Sequence, residues 1–228
     1  MSANVKDMFA KATEGARRRA WGVREALHRL GTKVSIRGDR NVLETRGARL
    51  HRVRIIIEGA NNVVRVHPTC NLTGASFELR GDNLRVDLGE NVKISQSADF
   101  RLSGSGAAIV LGHDCTIESA RLIARNDTTI TIGPESMLAY DIEIRTTDSH
   151  SILDEGTGER LNQDQSIQIG THVWIGARAT VLKGVTIGDD SVIATGSVVA
   201  KDVGAGVVAG GIPAQPLRSG VKWDRGQI

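Results

Sequence analysis

From Ile169 to Gly204 the apolar positions recur every six residues. The stretch divides into I-G-T-H-V-W, I-G-A-R-A-T, V-L-K-G-V-T, I-G-D-D-S-V, I-A-T-G-S-V and V-A-K-D-V-G. The first position is always Ile or Val: Ile169, Ile175, Val181, Ile187, Ile193 and Val199. The second is Gly, Ala or Leu. The fifth is small or short and branched: Val173, Ala179, Val185, Ser191, Ser197 and Val203. The chain has 41 Ile and Val among its 228 residues. Six hits in one fixed register therefore arise by chance only about 3 times in 100,000.

A period of six fits neither a 3.6-residue helix nor an alternating strand. It fits a chain that bends at every sixth residue, so that short parallel strands coil into a prism with the aliphatic positions stacked up its axis. The fifth position faces a crowded corner and must be small. Gly at the second position is expected to free the backbone where the chain turns.

The same code starts at Leu111, with L-G-H-D-C-T, I-E-S-A-R-L and I-A-R-N-D-T. After a slip of three residues it resumes as I-G-P-E-S-M, L-A-Y-D-I-E and I-R-T-T-D-S, which lead to His150. Residues 151–166 are polar and cannot stack in a prism, so they read as a protruding loop. A loop of that length in a compact repeat is usually functional or mobile. From Val34 to about Ile109 the chain is β-rich but its period is ragged, which predicts early coils with irregular corners. The tail G-A-G-V-V-A-G-G-I-P-A-Q-P-L-R ends the coil and sends the chain back along it. Before the β region, residues 4–30 carry apolar positions at helical spacing, among them Val5, Met8, Ala12, Ala16, Val23 and Leu27, with Gly31 as the stop. The expected organisation is an N-terminal helical cap over 1–31, a parallel β-helix over 32–204 and a returning tail over 205–228.

An aromatic share of 3% and 26 glycines suit an Ile/Val core with glycine corners. The net charge of +3 does not argue for nucleic acid. The charge is uneven: residues 1–30 carry seven Lys/Arg against three Asp/Glu. The cluster Arg17, Arg18, Arg19, Arg24 and Arg29 suits either a solvated helix over the open end of the prism or a basic helix against an anionic membrane surface. Cys70 and Cys115 form neither a disulfide framework nor a C-x-x-C site. Cys115 falls at a fifth position, which predicts a buried thiol and suits a reducing cytoplasm. No apolar run is long enough to span a membrane as a helix, and the N-terminus lacks the apolar core of a secretory signal. The expected location is the cytoplasm, with the inner membrane face left open by the basic cluster.

Two local motifs add chemistry to the repeat. His150 ends T-T-D-S-H just before the predicted loop, and Trp174 stands four hexads later in H-V-W-I-G. On these motifs and the hexads, from about Ile132 to Arg218, the chain resembles the hexapeptide-repeat acyltransferases, in particular the sugar and capsular polysaccharide O-acetyltransferases. The resemblance implies an all-β fold, a left-handed parallel β-helix; general strand sterics would favour right-handed crossovers. It also implies a homotrimer with the acyl donor, acetyl-CoA, lying between neighbouring prisms. The implied acceptor is a carbohydrate hydroxyl of a cell-surface polysaccharide or its precursor.

In that frame His150 is the general base and Trp174 its neighbour. A sugar hydroxyl is a poor nucleophile until its proton is removed during attack. An imidazole with an intrinsic pKa near about 6.5 is largely neutral and competent at cytoplasmic pH. Asp148, Asp127 and Glu143 are all candidates to orient it. The positions matching the family's donor site are Trp174, Ala177, Thr195, Ala200, Lys201 and Arg218, where Lys201 and Arg218 suit the phosphates of acetyl-CoA. Gln215 stands where relatives can carry Arg, and Lys183 is either a weaker donor contact or a solvated charge. No Cys or Ser lies in a nucleophile motif, so direct transfer is expected rather than an acyl-enzyme.

Three alternatives remain. The acceptor could be an amino-sugar or serine. A γ-type carbonic anhydrase would share the fold but needs three His on zinc, for which His113, His150 and His172 would have to converge; the acyltransferase reading expects no metal. A β-helix serving as a scaffold would bind no acetyl-CoA.

Overall fold

Each hexad of the 169–204 stretch supplies one side of a coil, and three hexads close a turn. Thr180 pairs with Val198, Trp174 with Val192 and Gln168 with Thr186, all in parallel and all separated by three hexads. The computed structural model describes residues 31–226. The helix expected over 4–30, with its basic cluster, lies outside the described residues.

The result is a parallel β-helix with three stacks of strands. Side one runs from Lys33–Arg37 to Val198–Val199, side two from Val42–Glu44 to Thr186–Ile187, and side three from Arg49–His51 to Val207–Gly211. The first-position residues Ile169, Ile175, Val181, Ile187, Ile193 and Val199 are all buried, and so are all six fifth-position residues. The aliphatic ones belong to one continuous core that runs up the axis.

Turn freedom is needed at a different hexad position from the one expected. Gly170, Gly176 and Gly188 stay outside the left-handed region; they are small because the next coil passes close by. A Cβ on Gly176 would lie 2.7 Å from the carbonyl oxygen of Ile193. The left-handed turn falls at the fourth position, with φ of 54° at His172, 57° at Arg178, 78° at Gly184, 58° at Asp190 and 72° at Gly196. Non-glycine residues bear the modest cost of that conformation at three of these five corners.

The N-terminal half is not ragged but wider. Arg54 pairs with Ser76 and Ser76 with Asp99, so each coil there is longer than three hexads. The extra residues lengthen side one, which takes up Ala75–Asp82 and the later parts of Lys93–Ser105 and Thr116–Arg125, two strands that begin on side three. Side one there points two large residues inward per coil, as with Phe77 and Leu79 or Phe100 and Leu102. The rings of Phe77 and Phe100 stack on adjacent coils with centroids 4.8 Å apart and planes within 4°. A six-residue template cannot register on such coils, although buried and exposed residues alternate along most of their length.

At the C-terminal end Val207–Gly211 and Ala214–Ser219 form an antiparallel pair, so the tail does turn back on the last coil. Cys115 is buried as expected and donates to the Gly133 carbonyl at 3.2 Å. Burial pushes its thiol up to about 11.

The stacked pair yields a stability prediction. Phe100→Ala should cost about 3–5 kcal/mol of unfolding free energy, since it removes a large buried side chain and leaves a cavity between coils. Arg101→Ala, on the solvent side of the same strand, should stay within about 1 kcal/mol. Denaturant titration checks both, and equal costs would contradict the axial-core account.

Candidate active site

His150 stands at the corner between sides one and two, where the chain leaves the prism after Ile142–Arg145 and returns at Ile167–Ile169. Its side chain is exposed. Residues 151–166 form an ordered arm. Leu153 and Arg160 make an antiparallel bridge, Leu161 N–H donates to the Ile152 carbonyl at 2.8 Å, and Asp154 caps the tip by accepting from Gly156 and Thr157 N–H. The arm exposes Ile152, Leu153 and Leu161.

Two of the carboxylates that could orient His150 are committed elsewhere. Asp148 accepts from Lys183 Nζ and, at 2.8 Å, from Asn162 Nδ2. Glu143 pairs with Arg121 and Arg145 at 3.4 and 3.2 Å. Among the described residues the imidazole makes no hydrogen bond to Asp148, Asp127 or Glu143. Lys183 is not a freely solvated charge: it is half-buried, paired with Asp148 and donating to the Asn162 carbonyl at 3.0 Å.

Trp174 occupies a different part of the prism. It opens the side-three strand Trp174–Ile175, pointing outward and 38% exposed while Ile175 points inward. Within one chain, therefore, His150 and Trp174 stand on different corners and do not meet. The other expected donor residues divide in the same way. Lys201 follows Lys183 one coil further on, at the His150 corner, with Ala200 beside it, both exposed. Ala177 and Thr195 stack at the opposite edge of side one, where Gly196 N–H donates to the Ala177 carbonyl at 2.8 Å. Arg218 is exposed on the returning strand, beside Val208 of side three.

Two further features carry no clear trace in the sequence. The tail beyond the returning strand lays Trp223 flat on His172, with ring centroids 4.2 Å apart, and within 6.0 Å of Trp174. Trp223 Nε1 donates to the His172 carbonyl at 2.6 Å, and Arg225 reaches the Glu135 carbonyl and the Thr116 hydroxyl at 2.8 Å each. Trp174 thus has a buried aromatic wall behind it; its sequence signal is a bare W-D-R run beyond the point where the repeat stops. The second feature is a groove of about 500 Å³ along the edge between sides three and one of the wider coils. Small residues such as Gly74, Ala98 and Ala120 form its floor, and Arg52, Arg54 and Arg121 stand along it.

His113, His150 and His172 are not brought together. His113 faces Asp114 at 2.8 Å, and His172 lies between Asp190 and Trp223. Among the described residues no group of His, Cys, Asp or Glu is arranged to hold a metal ion.

Comparison with known proteins agrees with this architecture. Residues 166–201 match the family model "Bacterial transferase hexapeptide (six repeats)". The chain is 32% identical over 148 residues to a polysialic acid O-acetyltransferase of Neisseria meningitidis, covering 56% of this chain and 68% of that one. It is 39% identical over 93 residues to a galactoside O-acetyltransferase of Escherichia coli K12, covering 41% of this chain and 45% of that protein, under half its length. Among solved structures, the polySia specific acetyltransferase NeuO superposes with a TM-score of 0.79 at 28% identity, over 86% of this chain and 90% of that one. The chain belongs to the hexapeptide-repeat acyltransferases.

The ion pair at the His150 corner has a pH signature. The Lys183 ammonium, helped by the Asn162 amide, holds the Asp148 carboxyl below the ordinary carboxylate range. A carboxyl lowered on folding contributes stability above its unfolded pKa and loses it as pH falls through the folded one. Wild type should therefore be more stable than Asp148→Asn at neutral pH, by no more than about 1 kcal/mol because the carboxylate is solvent-exposed. Melting temperatures should converge in acid, and a gap independent of pH would contradict this.

Proposed function

We propose that the protein is an O-acetyltransferase that moves acetyl from acetyl-CoA to a hydroxyl of a carbohydrate, part of a cell-surface polysaccharide or its precursor. Relatives named for O-acetyl transfer to polysialic acid and to galactosides support a sugar acceptor. The observation that carries the reading is His150 itself. Its imidazole is exposed at the corner where the arm leaves the prism, while the backbone around it is tied down from several directions.

In the proposed reaction His150 removes the proton of the acceptor hydroxyl as its oxygen attacks the thioester carbonyl. Backbone N–H groups at a coil corner are suited to steady the tetrahedral oxyanion. When it collapses, the C–S bond breaks, the acetyl ester remains on the sugar, and the leaving thiolate takes the proton back from the imidazolium. No acyl-enzyme is formed. Trp174, Ala177, Thr195 and Arg218 form one half of the donor site, and Ala200 and Lys201 the other half, on the His150 side. A head-to-tail homotrimer of left-handed coils, as in the family, sets the His150 corner of one prism against the Trp174 side of the next. The groove beside side one suits an extended acceptor. The need for acetyl-CoA suits a cytoplasmic reaction.

Calorimetry with acetyl-CoA and thiol release in the presence of polysialic acid or a galactoside test the proposal. Wild type should bind the donor and transfer. His150→Ala should bind it normally and turn over about 100- to 10,000-fold more slowly. Lys201→Ala should bind less tightly. Absence of acetyl-CoA binding by wild type would overturn the reading in favour of a scaffold.

A further inference from the structure

Resting on the reading of His150 as base, we infer that Asn162 is a positioning residue for it. Asn162 lies at the far end of the arm, yet its side chain closes the arm onto the His150 peptide. Its Nδ2 donates both to the His150 carbonyl and to Asp148 Oδ2, each at 2.8 Å. Its Oδ1 accepts from Ile152 N–H at 2.7 Å and from Arg160 Nε at 3.4 Å. Its own carbonyl takes the Lys183 ammonium at 3.0 Å. One residue therefore holds the chain on both sides of the base, through its side-chain amide, and ties it to the next coil, through its backbone carbonyl.

The opposite flank is held from the coil below. Arg125 Nη1 donates to the Ser149 carbonyl at 3.3 Å. Within the segment's own coil, Arg145 donates through Nε to the Thr147 carbonyl at 2.9 Å and through Nη2 to Ser149 Oγ at 3.3 Å. Ser149 itself takes the left-handed conformation, at φ 68°, as other coil corners of this chain do. The segment 147–150 is thus gripped from the coil below, the coil above and the arm, while the imidazole makes no hydrogen bond among the described residues. Such a grip suits a base that must meet a hydroxyl at hydrogen-bond distance, where misplacement by about 1 Å can cost about 100-fold in rate. The arm then acts on the reaction through the His150 backbone as well as by shaping the acceptor site.

Asn162→Ala, Asn162→Asp and the exchange Asp148→Asn with Asn162→Asp separate positioning from simple stabilisation. In the exchange, the new amide at position 148 can again donate to the carboxylate at 162 and Lys183 regains an ionic partner, but the donor to the His150 carbonyl stays lost. Acetyl-CoA turnover is read as thiol release, with water and with polysialic acid as acceptors, beside melting temperature and calorimetric donor affinity. The expected result is a fall in kcat on the order of 10- to 100-fold for both single variants, with donor affinity unchanged. The exchange should recover the melting temperature without recovering kcat. If the exchange restores both together, the role is structural and the inference fails. If His150→Ala is slow while Asn162→Ala keeps the wild-type kcat, the inference fails and the base reading survives. If His150→Ala is as fast as wild type, both fail.

Discussion

Everything in this fold depends on one coil lying in register on the next. Each strand of a parallel β-helix satisfies its backbone groups only with the coils above and below, and each inward side chain packs against its counterparts there. That constraint explains the monotony of Ile and Val at the first hexad position and the small fifth position. It also explains glycines that keep space for a passing backbone rather than freeing a turn. Where side one is longer the same rule holds, with Phe77 on Phe100 in place of Val181 under Val199.

Coil stacking also decides where chemistry can be placed. The interior is filled, the sides are regular strands, and only corners and interruptions can carry irregular side chains. His150 and Lys201 share one corner, Ala177 and Thr195 another, and Trp174 stands on the third side against Trp223. A straight prism cannot fold to bring its own corners together. The proposed site, which draws on His150 and Trp174 together, therefore needs a second prism alongside. The arm at 151–166 is the one long excursion among the described coils, and it leaves from the His150 corner.

Much of this is legible in the sequence, within physical limits. Ile169 to Val203 can be placed inward or outward residue by residue, because stacking forces the same residue type at the same hexad position. The coils from Val34 to Ile109 read as irregular because a turn longer than three hexads leaves no six-residue trace, though the alternation in Phe77–Leu79 and Phe100–Leu102 is plain once the register is known. His150 and Trp174 come from a resemblance rather than from any physical periodicity, and their separation within one chain is hidden because spacing along a coil does not reveal which corner it reaches. Asp148 reads as a partner for His150 because its true partner, Lys183, lies on the next coil. Trp223 and Asn162 lie outside any repeating code.

The measurement that bears most directly on the shared site is complementation between two inactive variants. His150→Ala and Trp174→Ala chains, differently tagged, would be co-expressed, mixed assemblies isolated through both tags, and transfer from acetyl-CoA assayed against each variant alone. If neighbouring copies supply the base and the tryptophan, each mixed trimer regains one intact site of its three, and activity should rise to about a third of wild type. If mixed assemblies stay as inactive as either variant while wild type transfers acetyl normally, the two residues do not come from different copies, and the account of the site is wrong.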